Sequence, residues 1–308
     1  MKNPIFVLWL IVAALLTFVC ARLVDNAYFY FAGYVVLQYI VLATAWNILG
    51  GYTGYVNFGI PAFIALGAYS TVVLHKLTNL PLIMMMAIGG IVSGLVGVGT
   101  GYLTLRLRGT FFSIATLAMA VVVQTFVTNW AFVGGSRGAY IIRPATVPYL
   151  GIDYIQYLFL MMLGLCVLSV GVARAIEKSR LGYGFAAIRD DELAAEASGV
   201  PTLRLKLIAT GLSGGFMGMA GAPLPYYVTY LDPASAFSLS YAVNTIAMPL
   251  IGGTSSWLGP ILGAILLGTL QQVATVTISS AWSLLIVGVM LVVFVVAAPK
   301  GILGWFRK

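Results

Sequence analysis

Ten long apolar stretches dominate this 308-residue chain and leave few ways for it to fold. A helix needs about 20 apolar residues to cross the hydrocarbon core of a bilayer. The ten stretches, none of which contains aspartate or glutamate, are residues 5–21, 28–49, 56–75, 81–105, 110–132, 154–174, 207–228, 240–256, 258–278 and 282–298. Only 8% of all residues are charged, too few to cover a water-soluble surface. We therefore predict a single all-α, polytopic transmembrane domain over 1–308 with about ten spans, and exclude a soluble enzyme, a disordered chain and a nucleic-acid-binding protein.

Two of these stretches are weak as continuous helices. The stretch at 56–75 is preceded by the glycine-rich run 50–54. The stretch at 240–256 is short and contains Pro249 and a Gly-Gly pair at 252–253. A broken helix is tolerated within a membrane only where it faces protein or a water-filled cavity. We therefore expect one or two broken or short helices, with unwinding over 50–59.

The positive charges predict the orientation of the spans. With ten spans and a cytoplasmic N-terminus, twelve of the 16 lysines and arginines fall on the cytoplasmic side. The outer side then holds Arg22, Lys76, Arg137 and Arg143. This asymmetry predicts that both termini are cytoplasmic. The first stretch lacks the small residues of a cleavage site, so we expect it to remain as a span.

The chain lacks the groups that would make it an enzyme or a proton pump. Proton-driven transport needs an ionisable group at depth, whereas sodium coupling stays open because backbone carbonyls can bind Na⁺. The sequence has no phosphate-binding Gly-x-x-x-x-Gly-Lys-Ser/Thr loop, and one histidine and two distant cysteines cannot form a metal cluster. We expect no enzymatic activity and no cofactor bound by this chain, so active transport would draw its energy from another subunit.

Several Gly-x-x-x-Gly pairs lie within the apolar stretches. They are 90/94, 97/101, 211/215, 214/218 and 259/263. Glycine lets helix backbones approach closely, and packing drives helix association in membranes. We expect these faces to pack inside one bundle, with dimerisation through one of them as the alternative.

One segment, residues 174–206, holds eleven of the 24 charged residues. Its acids at 190–192 suit a helix N-terminus, the following residues 193–197 are strong helix formers, and Gly199 and Pro201 would end the helix. We predict a cytoplasmic loop at 175–206 that contains a helix of roughly 8 residues, about 12 Å long. Such a helix is too short to span a membrane but could dock an energy-supplying partner.

Four ordered motifs resemble one known family. The run GYVNFGIPAFIALGAY at 54–69 is followed by LRLRGTFF and ATLA within 105–118, by AIRDDELAAEASG at 187–199 and by LIGGTSSWLGP at 250–260. Together they resemble the LivM-type permeases, which are membrane subunits of bacterial branched-chain amino acid ABC importers. The likeness extends over about residues 45–298.

The resemblance implies an ABC importer permease fold in the bacterial inner membrane and a set of partners. These are a second, LivH-type permease, two cytoplasmic ATPases that use ATP and Mg²⁺, and a periplasmic substrate-binding protein. The short helix would be the coupling helix. The residues implied in ATPase coupling are Arg189, Asp190, Asp191, Glu192, Ala194, Ala195, Glu196 and Gly199.

The broken entry to the second motif suggests a substrate pathway. Asn57 would offer an amide donor and acceptor, and Phe58, Gly59, Phe63 and Tyr69 would line the passage. Packing of these aromatic rings against lipid or other helices is an equal alternative. The family often has Ser and His where this chain has Asn57 and Ile60, which leaves branched-chain amino acids, other amino acids, amides and urea open as substrates.

Two other functions remain open, together with the make-up of the permease pair. The chain could be a stand-alone facilitator or channel, or a sodium-coupled carrier for a small neutral solute. The sequence also leaves open whether the partner permease is distinct or a second copy.

Overall fold

The computed structural model describes residues 4–24, 26–78, 80–104, 107, 109–147, 151–277, 280–297 and 301–306, and these are almost entirely helical. The helices are α1 (Pro4–Val24), α2 (Ala27–Thr53), α3 (Ile60–Leu77), α4 (Leu82–Thr104), α5 (Thr110–Thr128), α6 (Tyr154–Glu177), α7 (Arg180–Asp190), α8 (Glu192–Ala197), α9 (Thr202–Gly221), α10 (Leu224–Val228), α11 (Pro233–Ala236), α12 (Leu239–Gly252), α13 (Leu258–Thr277), α14 (Ser280–Ala297) and α15 (Ile302–Phe306). Two single turns of 3₁₀ helix, Ala131–Val133 and Gly135–Arg137, follow α5.

Eight helical segments within the described residues are long and apolar enough to cross a membrane. They overlie the second to ninth predicted stretches, and α1 and α14 overlie the first and tenth. The prediction of a polytopic helical membrane protein is therefore confirmed, while the count of ten spans and the cytoplasmic termini stay predictions. Six of the cations used for the orientation lie outside the described residues, namely Lys2, Arg106, Arg108, Lys300, Arg307 and Lys308.

The expected break at Gly50-Gly51 is wrong, because α2 continues through both glycines to Thr53. These glycines serve close packing instead. A Cβ on Gly51 would lie 2.7 Å from the carbonyl oxygen of Thr254, and a Cβ on Gly50 would lie 2.5 Å from the ring of Trp46. The helix ends at Gly54, whose φ of 79° is a left-handed conformation that favours glycine. Only residues 54–59 are unwound.

A further break, which was not predicted, divides the stretch at 207–228. Helix α9 ends at Gly221, and Pro223 precedes the short helix α10. Proline cannot donate a backbone hydrogen bond, so it ends α9 and starts a new turn. The stretch at 240–256 is short as expected, since α12 ends at Gly252 and Gly253 has a φ of 112°.

Helix α2 lies at the centre of the bundle and contacts α6, α9, α12 and α13. Glycines bring α3, α4 and α9 together beside it. A Cβ on Gly67 would lie 1.9 Å from the carbonyl oxygen of Gly218, and Gly94 faces the carbonyl oxygen of Gly211. The expectation that the Gly-x-x-x-Gly faces pack within the bundle is confirmed for these helices.

A small antiparallel pair of strands closes the end of the bundle opposite α7 and α8. Strand β1 (Ala139–Tyr140) precedes α6, and strand β2 (Tyr230–Leu231) follows α10. Asp232 then caps α11, and the Ser235 hydroxyl that donates to its carboxylate holds the pKa of Asp232 below its usual range.

Candidate coupling and pathway site

The four motifs meet around the C-terminal end of α2. The unwound segment 54–59 is fastened to α5, which carries part of the second motif. The Ser113 hydroxyl donates to the carbonyl oxygen of Val56 at 2.8 Å, and the backbone N–H of Phe58 donates to Thr116 Oγ1 at 3.1 Å. Two motifs that are about 50 residues apart in the sequence thus form one local structure.

Helix α8 has well-formed ends. Asp191 is its N-cap, and the carboxylate accepts hydrogen bonds from the backbone N–H groups of Leu193 (2.9 Å) and Ala194 (3.1 Å). Gly199 has a φ of 83°, and the N–H of Val200 bonds back to the carbonyl oxygen of Ala195. The predicted capped helix is confirmed, but it has six residues rather than eight.

Asp190 is the last residue of α7 rather than part of the N-terminus of α8. Asp191 has extended backbone and separates the two helices. Its side chain caps α8, and its own backbone N–H donates to the carbonyl oxygen of Ala187 in α7. The charged segment therefore contains two short helices, α7 and α8, of which only the second was predicted.

A buried ion pair fastens α8 to the bundle. Lys206 Nζ lies 2.7 Å from Glu192 Oε1, and the two side chains are 4% and 13% exposed. The Tyr55 hydroxyl donates to the other oxygen of the Glu192 carboxylate and accepts from Lys206 Nζ at 3.2 Å. Since Tyr55 belongs to the segment 54–59, this triad joins α8, α9 and that segment.

Neighbouring residues strengthen the junction. The Thr202 hydroxyl donates to Glu196 Oε1 at 2.6 Å, and Ala195 is buried. The Arg189 side chain packs on Gly54, where a Cβ would lie 3.2 Å from its Cγ. Arg189 also pairs with Asp190 at 3.4 Å on the surface, where an ion pair contributes little to stability.

The coupling residues implied by the resemblance therefore fall into two groups. Glu192 and Ala195 face the bundle, whereas Asp190, Asp191, Ala194, Glu196 and Gly199 are exposed, with Arg189 at the margin. The exposed side of α8 also carries Leu193, which is 61% exposed. Contact of this side with an ATPase stays a prediction.

Asn57 fixes the path of the segment 54–59. Its Oδ1 accepts a hydrogen bond from the backbone N–H of Gly59 at 2.6 Å, and its carbonyl oxygen accepts one from Trp46 Nε1 at 3.0 Å. Asn57 is 1% exposed, so its side chain supports the turn into α3. Gly59 is also buried, and Phe58 is half-buried beside α5.

The side chains of Phe63 and Tyr69 lie within the core, although the backbone N–H of Phe63 donates to the carbonyl oxygen of Gly59 at 3.4 Å. Phe63 packs against Gly97 of α4 and Gly214 of α9. Tyr69 is buried, and its hydroxyl has no hydrogen-bond partner among the described residues. The structure thus places Asn57, Phe58 and Gly59 in the unwound segment and the side chains of the other two in the core, and a role for any of them in a pathway stays a prediction.

A second connection at the same end was not predicted. Glu177, the last residue of α6, accepts a hydrogen bond from the backbone N–H of Trp257 at 2.8 Å. The Tyr52 hydroxyl lies 3.4 Å from the same carboxylate oxygen. This contact fastens the fourth motif to α2 and α6.

Sequence reasoning also missed Lys206 and Tyr55, although one signal was present. Lys206 is a charged residue at the start of an apolar span, just after an acidic segment, and such a residue normally needs a partner. The structure shows that the partner is Glu192, 14 positions earlier.

The site combines helix α8 with the unwound segment 54–59. Within the described residues there is no group of three or more His, Cys, Asp or Glu side chains that could hold a metal ion. What the site does provide is a partly exposed short helix that is fixed to an unwound segment between two spans.

Comparison with known proteins defines the class to which this fold and site belong. Residues 28–295 match the family described as the permease component of branched-chain amino acid transport systems. The chain belongs to this family of ABC importer permeases, so it is a multi-pass membrane transport protein, as the four motifs indicated.

Individual relatives agree with this assignment. The chain is 28% identical to the high-affinity branched-chain amino acid transport system permease protein LivM of Salmonella typhimurium, over 87% of this chain and 68% of that protein. It is 22% identical to the probable branched-chain amino acid transport permease protein LivH of Methanocaldococcus jannaschii, over 80% of this chain and 82% of that protein. A ribose import permease, RbsC of Bacillus subtilis, is 28% identical over 41% of this chain and 40% of its own length. No solved structure gave a significant match.

Proposed function

We propose that this chain is one of two permease subunits of an ATP-driven importer in the bacterial inner membrane. It would carry branched-chain or other neutral amino acids that a periplasmic binding protein delivers. The observation that carries this proposal is α8, which is exposed on one side and fixed on the other by the Glu192–Lys206–Tyr55 triad to a segment between two spans.

The exposed side of α8 supports docking of an ATPase. Leu193 presents a large apolar side chain to solvent, with Ala194 beside it and carboxylates around it. Apolar side chains surrounded by polar groups are typical of protein contacts. Two ATPases, one on each permease, would bind ATP and Mg²⁺ themselves, and this chain would bind no cofactor.

The proposed mechanism converts closure of the ATPases into movement of a membrane segment. Because Glu192 and Lys206 are hydrogen-bonded to Tyr55, movement of α8 would displace Tyr55. The segment 54–59 would then transmit this displacement to α5 through the hydrogen bonds of Val56 and Phe58. The two permeases would then alternate between inward- and outward-facing states, whose populations ATP binding shifts.

Helix α5 presents a face that a second permease could cover. Its large apolar residues are largely exposed, including Phe111, Ile114, Val122 and Phe126. Lipid or a second permease could cover this face. A LivH-type partner agrees with the similarity of this chain to a LivH protein, and a second copy of the chain is the other outcome of the experiment below.

Affinity purification of the chain in mild detergent tests the proposal. We expect a second permease and two ATPases in the purified complex, with ATP hydrolysis stimulated by the loaded binding protein. Leucine, isoleucine and valine would be tested first in liposomes, followed by other neutral amino acids, amides and urea. Recovery of the chain alone, with ATP-independent solute flux, would support a facilitator, and flux that follows a sodium gradient would support a carrier.

A surface variant tests the docking side. Leu193→Glu places a charge at the centre of the exposed side of α8 and should lower ATPase recovery about tenfold or more. Tyr140→Glu, a similar change at an exposed residue on the opposite end of the bundle, is the control. Equal recovery of the ATPases with both variants would contradict docking at α8.

A further inference from the structure

A deep apolar groove lies between α1 and the rest of the bundle. Helices α1, α2, α6 and α13 form it, and it encloses about 550 Å³. Leu10 and Ala14 line one wall, and Leu163 and Val167 line the other. The hydroxyl of Thr17 donates to the carbonyl oxygen of Ala13 within α1, so this polar group in the groove is already satisfied.

The dimensions of the groove fit one hydrocarbon chain. It runs along α6 from Leu163 to Arg174 and along α1 from Phe6 to Thr17, a rise of about 16 Å in each helix. This is about half of the ~30 Å hydrocarbon core, which is the depth of one leaflet.

Arg174 supplies a positive charge at one end of the groove. Its guanidinium carbon lies 3.5 Å from the centre of the Phe6 ring and 5.1 Å from that of Trp257. Among the described residues no carboxylate forms an ion pair with Arg174. Glu177, one turn later on α6, instead accepts from the backbone of Trp257. Aromatic rings hold a guanidinium by its face and leave the in-plane N–H groups to bind an anion.

We propose that this groove binds one acyl chain of an anionic phospholipid, whose phosphate is held by Arg174. The acyl chain replaces empty apolar space, and the phosphate receives charge-assisted hydrogen bonds from the guanidinium. Lys178 and Arg180 follow at the same end of α6, so the local field favours a lipid with net negative charge over a zwitterionic one. The site is separate from α8 and does not depend on the proposed transport function.

Photochemical labelling in nanodiscs tests this site. The full chain, with any subunits that co-purify, is reconstituted with phosphatidylglycerol that carries a diazirine in one acyl chain, or with the matching phosphatidylcholine. We expect the phosphatidylglycerol probe to label the peptides of α1 and α6 that line the groove. Arg174→Gln should lower this labelling about tenfold, because a charge-assisted contact is lost.

Matched variants separate binding from folding. Arg204→Gln removes an exposed cation of α9 that does not line the groove and should leave labelling unchanged. Ala14→Phe fills the groove and should abolish labelling of α6, whereas Leu15→Phe on the exposed side of α1 should not. Arg174→Lys keeps the charge without the planar group and should label at an intermediate level.

Two outcomes would overturn the proposal. Equal labelling by both probes that Arg174→Gln does not change would mean ordinary surrounding lipid. Labelling that misses the groove peptides while the protein elutes as a single folded species would mean that the groove holds something else, or closes.

Discussion

The buried amide of Asn57 lies in the unwound segment that connects α2 to α3. Its Oδ1 accepts from the N–H of Gly59, which leaves that N–H satisfied although the helix has not yet begun. An unsatisfied buried N–H costs about 1–3 kcal/mol. This contact assigns Asn57 a structural role, whereas the sequence suggested that its amide faces a pathway.

Serine and alanine at position 57 separate these two roles. A serine hydroxyl can accept from the N–H two residues later, as an Asn side chain does, but it offers no amide. We expect Asn57→Ser to keep the unfolding midpoint and amino acid uptake, and Asn57→Ala to lose about 1–2 kcal/mol of stability. Asn129→Ala, at an exposed asparagine, is the control. Loss of uptake in Asn57→Ser with an unchanged midpoint would place the amide in the pathway after all.

Helix α8 is too short to be stable alone and depends on its attachment to the bundle. Isolated helices below about 12 residues are marginal in water. Its caps stabilise the helical turns of α8, whereas the Glu192–Lys206 pair fixes α8 in place against the bundle. Removing one partner of a buried pair leaves an uncompensated charge, whereas replacing the whole group by apolar side chains is often neutral.

This difference gives a prediction for α8. Lys206→Met should destabilise the protein by about 3 kcal/mol and increase hydrogen exchange in α8, since the largely buried carboxylate of Glu192 loses its cation. The triple variant Tyr55→Phe, Glu192→Leu, Lys206→Met should recover most of that stability. Arg204→Met, at an exposed position on α9, the helix that also carries Lys206, is the control. If Lys206→Met kept the stability of the unchanged protein and the same hydrogen-exchange protection in α8, the anchoring role of Lys206 would be contradicted.

The same elements show what the sequence could predict. The caps Asp191 and Gly199 act within a few residues, so α8 was visible in the sequence. The continuation of α2 through the glycines at 50–51 was not predicted, in part because Gly51 packs against Thr254, about 200 residues away, and such a close approach leaves no local pattern. The full triad was not predicted for the same reason, since Tyr55 is about 150 positions from Lys206 and joins the Glu192–Lys206 pair only in the folded chain.

At the scale of the whole molecule, the two ends of the bundle differ in kind. One end carries the charged helices α7 and α8, and the other carries the strand pair with exposed Tyr140 and Ile142. The distribution of lysine and arginine predicts that the first end lies in the cytoplasm. ATPases could reach α8 only from that side, so the orientation is a condition for the proposed function.

Cysteine labelling in spheroplasts measures this orientation. Tyr140 and Tyr183 are 77% and 72% exposed at opposite ends of the bundle, so cysteine at either position should be accessible to a reagent on its own side. In a background with Cys20→Ala and Cys166→Ala, we expect a membrane-impermeant maleimide to label Tyr140→Cys in intact spheroplasts. Tyr183→Cys should react only after permeabilisation, because the charge distribution predicts that α7 lies on the cytoplasmic side. The reverse pattern would place α8 outside the cell, out of reach of any ATP-driven partner, and would leave a facilitator or sodium-coupled carrier as the function of this chain.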